Sequence, residues 1–180
     1  ATTEIYTLSL HDVFRSAAQS EWFDNTLFVI TADHSAQAED AYYMNKVGMY
    51  SVPLLFYHPA GKLKGVSMRV TQHTDILPSV LDYLGYGSDF IAFGNSVFNE
   101  EKAGFAVNYL NGLHQLIQGA YVLQFNGKET VGLYNYEMDK QLSGNLTEKL
   151  PEVALAMEKL LKGIIQSYNG RLINNQLTAE

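Results

Sequence analysis

The chain has 180 residues, no cysteine, 47% apolar residues and a formal net charge of −7. This composition is typical of a globular protein with a sizeable core, and it excludes disulfides, thiol catalysis and thiolate metal sites. The acidic charge and the lack of a basic run argue against nucleic acid as a partner. No apolar stretch reaches the roughly 20 residues that span a membrane, and no signal peptide is recognisable.

Residues 26–32 form an apolar run that ends in Asp33 and His34. Because it is rich in β-favouring residues and has no polar alternation, it predicts a strand buried on both faces of a parallel sheet. Ligands of such sheets bind beyond the carboxyl ends of the strands, where these two residues fall. An Asp oxygen with a His nitrogen suits Zn²⁺ or Mn²⁺. The spacing alone fits equally a carboxylate that orients a histidine, or a helix cap.

The flanking segments predict an alternation of helices and strands. A helix is expected from about residue 5 to about Ser20, a second strand over 52–57 and a short strand over 66–70. The polar, Tyr-rich residues 35–51 are expected to form a long loop. A helix that feeds a buried strand through a short link is typical of parallel α/β folds.

A further helix is predicted to begin near Asp75. Thr74 or Asp75 can accept the unpaired amide hydrogens of a first turn, and Pro78 is tolerated there because it needs no donor. An apolar stripe follows, and Gly85 is a suitable end cap.

From Gly104 onward the sequence predicts an antiparallel meander. Asn111-Gly112 and Asn126-Gly127 are strong hairpin turns, and Gln118-Gly119 is a weaker one. They separate four short strands, over residues 105–110, 113–117, 120–125 and 130–134. A final helix is predicted from Pro151 to about Tyr168, with Gly170 beyond its end.

Four stretches together resemble the sulfatase and lipoteichoic-acid-synthase branch of the alkaline phosphatase superfamily. The segment 22–35 is similar to the family's late metal-binding segment, and residues 52–57 resemble its next core strand. Residues 72–85 resemble its Asp-x-x-Pro-(Thr/Ser) helix, and residues 93–98 resemble the Gly-x-Ser segment that follows. The motifs occur in the family's order.

The resemblance implies an alkaline phosphatase-like α/β fold with a partial parallel sheet core, helices, a C-terminal antiparallel meander and a helix. Residues 1–103 would be the C-terminal part of the catalytic domain, and residues 104–180 a subdomain. The family's nucleophile lies in an N-terminal part that has no counterpart here. The chain is therefore expected to be an inactive fragment of a larger, extracytoplasmic, membrane-anchored enzyme, with the membrane reached only through missing segments.

The resemblance also implies site residues and partners. Asp33 and His34 would bind a divalent cation (Mn, Zn, Ca or Mg), with no catalytic residue in this chain. His73, which precedes the Asp75 helix, is a candidate substrate contact, and a solvent-facing position is the alternative for it. The partners would be the rest of the catalytic domain and a phosphate or sulfate ester. The enzyme would be a metal-dependent sulfatase-like hydrolase or a phosphoglycerol or phosphoethanolamine transferase that acts through a covalent intermediate.

A non-enzymatic function is the alternative. The Tyr-rich loop or the meander would then be the binding surface of an interaction module, and no divalent cation would matter.

Overall fold

The computed structural model of the chain describes residues 10–35, 40–61 and 63–179. The helices and strands, in chain order, are α1 (Leu10–Ala17), β1 (Phe28–Thr31), α2 (Ala41–Met44), β2 (Leu54–Tyr57), α3 (Ile76–Tyr83), β3 (Phe105–Leu110), β4 (Leu113–Gln118), β5 (Tyr121–Phe125), β6 (Thr130–Asn135) and α4 (Pro151–Ile173). Short 3₁₀ turns occupy Phe23–Asn25, Gly48–Tyr50 and His73–Asp75. The predicted α/β class, with a meander followed by a helix, is confirmed.

The described residues form two compact units. The predicted domain boundary, between residues 103 and 104, stays a prediction. The first unit extends to Asp33 and includes Val52–Val66, so it contains α1, β1 and β2. The second unit comprises His34–Ser51 and the chain from Ser67 onward, so it contains the meander and the other helices.

Aromatic packing around Phe28 organises the first unit. The Phe28 ring centroid lies 5.0 Å from that of Phe14 on α1 and 5.5 Å from that of Phe23. The Tyr57 ring on β2 is 6.1 Å away, and Phe28 is also opposite Tyr57 in the strand register. Aromatic pairs at such distances contribute about 0.5–1.5 kcal/mol beyond the area that they bury.

The predicted parallel pairing in this region is wrong. β1 pairs antiparallel with β2, and within the described residues these two strands form a sheet of their own. The residues of β1 are half-buried, and Thr31 is exposed, so the strand is not buried on both faces. The physical reason is that an apolar run indicates burial but carries no information about the direction of its neighbour. The connection from β1 to β2 is long enough for either direction.

Two smaller expectations also differ from the structure. Residues 66–70 form no strand, and the side chains of Val66 and Met68 are each 92% exposed. Helix α4 continues past the predicted end and includes Gly170. The start of the predicted first helix, residues 5–9, lies outside the described residues.

The meander of the second unit follows the predicted turn chemistry. Its strands are ordered β3-β4-β5-β6, and each is antiparallel to the next. Asn111 and Gly112 have φ values of 52° and 81°, which is the conformation that a two-residue hairpin loop requires. At the third turn, the Asn126 side-chain oxygen accepts the amide hydrogens of Lys128 and Glu129 at 2.9 Å.

Each face of the meander carries a hydrophobic cluster. Helix α4 covers one face, where Leu161 is fully buried against the strands. On the other face Val47 packs with Ile117 and Val122. No helix among the described residues combines the length and the hydropathy needed to cross a membrane.

Replacing Leu161 by Ala should destabilise the second unit by about 2–5 kcal/mol, because the change leaves a cavity between α4 and the meander. The same substitution at Leu155, which is 70% exposed on α4, should cost about 0.5 kcal/mol or less. Urea unfolding monitored by circular dichroism measures both. Equal losses in the two variants would contradict the assigned core.

Candidate metal centre

Asp33 and His34 follow β1 directly after Ala32, and both side chains are exposed. Asp33 is the last residue of its stretch of the first unit, and His34 begins the second unit. Both candidate ligands are therefore accessible from solvent at the end of a strand.

The ring of His34 has a defined partner. Its Nδ1 lies 2.9 Å from the carbonyl oxygen of Ser35, and a carbonyl can only accept, so Nδ1 carries the hydrogen and donates. The basic lone pair is then on Nε2. A histidine whose Nδ1 hydrogen is bound to a backbone carbonyl is oriented for coordination through Nε2.

Ser35 is held by residues 40–51, which we call the anchor segment. Both its amide nitrogen and its hydroxyl donate to the carbonyl oxygen of Met49, at 2.9 and 3.1 Å. The segment is not the open loop expected from the sequence, because it contains α2 and a 3₁₀ turn. Asp40 caps α2 by accepting the amide hydrogen of Tyr42 at 2.8 Å.

His73 lies in the second unit, at the first position of the 3₁₀ turn that precedes α3, and its side chain is exposed. This exposure agrees with a solvent-facing position, which was the alternative for His73. Its predicted role as a substrate contact stays a prediction.

Asp75, two residues later, is buried and fully engaged in the local structure. Its carboxylate accepts the amide hydrogens of Gln72 at 3.0 Å and Asn95 at 2.7 Å. The Gln72 side chain in turn accepts a backbone hydrogen at the start of the helix, so the two residues form a reciprocal cap. Asp75 is therefore the acidic member of a capping box around the 3₁₀ turn, and its side chain makes no cap hydrogen bond to α3, so the predicted role as acceptor for the first-turn amide hydrogens of α3 is wrong for this residue.

Burial raises the pKa of the Asp75 carboxyl group above its ordinary value of 3.8, against the opposing effect of the hydrogen bonds from Asn95 and Gln72 and the charge of Arg69. The folded protein thus binds this proton more tightly than the unfolded chain does.

The Asp75 cap also brings together two of the motifs that carried the family resemblance. Gly94 approaches the start of α3 so closely that a Cβ there would lie 2.4 Å from Asp75 Oδ1 and 2.4 Å from the Thr74 carbonyl oxygen. Ser79 extends the contact, because its hydroxyl donates to the Asp75 carbonyl at 2.5 Å and accepts the Val97 amide hydrogen at 2.9 Å.

The donor set fits part of a metal site. Asp33 and His34 offer an oxygen and an oriented nitrogen, while a tetrahedral zinc site takes about four donors. Within residues 10–35, 40–61 and 63–179, no group of three or more His, Cys, Asp or Glu side chains could hold a metal ion.

Comparison with known proteins identifies the relatives of the chain. Residues 9–86 match the sulfatase family model. Arylsulfatase K of Canis lupus familiaris is 24% identical over 182 residues, in a match that covers 87% of this chain and 34% of that protein. Residues 9–86 are therefore similar to the sulfatases. It spans only about a third of the length of this curated relative.

A solved sulfatase structure supports the fold of this sulfatase-like chain. That structure concerns the metabolism of multiple glycosaminoglycans by Bacteroides thetaiotaomicron, and it matches with a TM-score of 0.57 and 15% identity. The match covers 86% of this chain and 42% of the other. The alkaline phosphatase-like fold and the sulfatase part of the predicted resemblance are confirmed, while the lipoteichoic-acid-synthase type stays a prediction.

Sequence reasoning missed the hydrogen bonds of this region, namely that of His34 with the Ser35 carbonyl and those of Ser35 with the Met49 carbonyl. The anchor segment has no hydrophobic periodicity. Its available signals of local structure were Asp40, which is a capping residue, and Asn45, which lies three residues before Gly48.

We expect Gly94→Ala to destabilise the second unit by about 1–3 kcal/mol, because the new methyl group would overlap backbone atoms that cannot rotate away. Gly87→Ala is the matched control, since no atom of the described residues lies within 4 Å of the corresponding Cβ position. Thermal unfolding of both variants tests this, and a stable Gly94→Ala protein would contradict the close approach.

Asp75→Asn should change how stability depends on pH. The raised pKa means that the contribution of Asp75 is fully present below about pH 3.8 and is lost as the pH rises through the folded-state value. The stability of wild type relative to Asp75→Asn should therefore decline as the pH increases over this window, as measured by urea unfolding at several pH values.

Glu158→Gln provides a comparison of opposite sign. Hydrogen bonds from Lys162 and Thr130 lower the pKa of Glu158 below 4.5, so its contribution is present above that pH and is lost as the pH falls. If the two variants shifted the pH profile in the same direction, the assignment for Asp75 would be wrong.

Proposed function

We propose that this sulfatase-like chain belongs to a metal-dependent hydrolase of sulfate esters, in which Asp33 and His34 are two of the metal ligands. The observation that carries the proposal is the position of this pair. Both side chains are exposed directly after β1, inside the residues 9–86 that match the sulfatase model, and His34 Nδ1 donates to Ser35.

The residues of this chain would have distinct tasks. The Asp33 carboxylate and His34 Nε2 would hold the cation, and the Ser35 carbonyl would keep the proton on Nδ1. A bound divalent cation lowers the pKa of a nucleophile and offsets the charge on ester oxygens. The exposed imidazole of His73 would contact the anionic ester.

The nucleophile and the other ligands would come from a further part of the longer protein, which would make this chain inactive by itself. A nucleophile that forms a covalent intermediate can pass the group to water or to an acceptor alcohol. The same residues would therefore suit phosphoglycerol or phosphoethanolamine transfer, which is the second reading of the family resemblance. We also propose that the longer protein lies outside the cytoplasm and is anchored to the membrane.

In the full-length protein, Asp33→Ala and His34→Ala should each lower metal content and reduce turnover about 100-fold or more, because a site that loses one ligand no longer holds its cation in place. Asp24→Ala and His11→Ala remove the same side-chain types at exposed positions of the first unit, and they should have little effect.

Metal content by mass spectrometry is to be measured together with hydrolysis of aryl sulfate, aryl phosphate and a phosphoglycerol donor. Full metal occupancy and normal turnover in either ligand variant would remove that residue from the site. The substrate panel separates sulfatase, phosphatase and transferase. Turnover by the purified 180-residue chain, abolished by a change within it, would contradict the need for a further part.

A further inference from the structure

Asn45 connects the anchor segment to the meander. Its side-chain amide donates to the carbonyl oxygen of Lys140 at 2.6 Å, across 95 residues of sequence. Its side-chain oxygen accepts the amide hydrogens of Val47 and Gly48, both at 2.8 Å. One side chain thus shapes the turn that leads to Met49 and attaches it to the loop after β6.

Gln115 makes a second connection from the meander. It is completely buried on β4, and its side-chain nitrogen donates to the carbonyl oxygen of Lys46 at 3.3 Å. Its side-chain oxygen has no hydrogen-bond partner among the described residues. Gln115 therefore joins β4 to the backbone at Lys46 through a side-chain hydrogen bond.

The segment also packs tightly against itself and the sheet. Val47 is 8% exposed in the cluster with Ile117 and Val122. A Cβ at Gly48 would lie 2.0 Å from the Tyr42 carbonyl oxygen, so only glycine fits there. Lys140 Nζ lies 4.9 Å from the centroid of the Tyr42 ring, a cation–π contact beside the Asn45 bond.

These contacts end at the candidate ligand. The carbonyl of Met49, the next residue after Gly48, receives both hydrogen bonds from Ser35, and the carbonyl of Ser35 receives the Nδ1 hydrogen of His34. We propose that Asn45 and Gln115 are positioning residues, which hold the anchor segment on the meander so that Ser35 orients His34 for metal binding. This inference rests on the proposed function, because it assumes that His34 is a ligand.

The inference is tested in the full-length protein with Asn45→Ala and Gln115→Met. The second variant keeps the side-chain volume and removes the unpaired oxygen together with the donor to Lys46, so it should fold. Asn126→Ala is the matched control, because Asn126 likewise accepts two backbone hydrogens in a turn, at a hairpin of the meander.

The first measurement needs no metal. Hydrogen exchange of the Ser35 amide, followed by mass spectrometry, should become roughly tenfold faster in Asn45→Ala and Gln115→Met, because its acceptor Met49 is less firmly held. Exchange at Ser35 should be unchanged in Asn126→Ala. Unchanged exchange in both test variants would overturn the inference.

The second measurement is the affinity for Mn²⁺ or Zn²⁺, with turnover measured against metal concentration. Asn45→Ala and Gln115→Met should weaken metal binding roughly tenfold, while excess metal should restore turnover to nearly the wild-type rate. A purely structural role would reduce the folded fraction without changing the affinity of the folded molecules.

His34→Ala, measured in the same experiments, distinguishes a failure of the positioning role from a failure of the proposed function. If it abolishes metal binding while Asn45→Ala and Gln115→Met bind metal as wild type does, the positioning role is wrong and the proposed function stands. If His34→Ala itself binds metal normally, the proposed function fails, and the positioning role fails with it.

Discussion

The buried carboxylate of Asp75 is the interaction on which much of the second unit depends. It accepts backbone hydrogens from Gln72 and Asn95, and so it joins the start of α3 to the segment that contains Gly94. The side chain of Gln72 also accepts the amide hydrogen of Val107 at 3.1 Å, which ties the same point to β3. Burial disfavours the charge, as the raised pKa shows, and the backbone donors offset part of that cost.

Elements with local signals were predictable from the sequence. The meander strands followed from turn dipeptides such as Asn111-Gly112, whose positive φ values few other residues adopt easily. The start of α3 was predicted from the local signals Asp75 and Pro78, although the Asp75 side chain caps the preceding 3₁₀ turn and not α3 itself. The Asp33-His34 pair was visible as a motif at the end of an apolar run, and β1 does end just before it.

Long-range pairings were not predictable in the same way. The apolar run of β1 indicated burial, but its antiparallel register with β2 depends on residues far along the chain. The anchor segment has no hydrophobic periodicity and was interpreted as a loop. Its order comes from contacts such as that of Asn45 with Lys140, which no local pattern encodes. The hydrogen bonds between Ser35 and Met49 were hidden for the same reason.

The cap formed by Asp75 and Gln72 joins residues that are far apart in the sequence, and this separation affects the order in which the structure forms. The meander closes through hairpin turns between neighbouring strands, whereas the Gln72–Val107 bond spans 35 residues. Loop-closure entropy favours the early formation of local contacts. The hairpins should therefore form before the cap around Asp75 is complete. Weakening that cap would then mainly speed up unfolding and leave the folding rate almost unchanged, so the lifetime of the folded state would be set at the point where α3 joins β3.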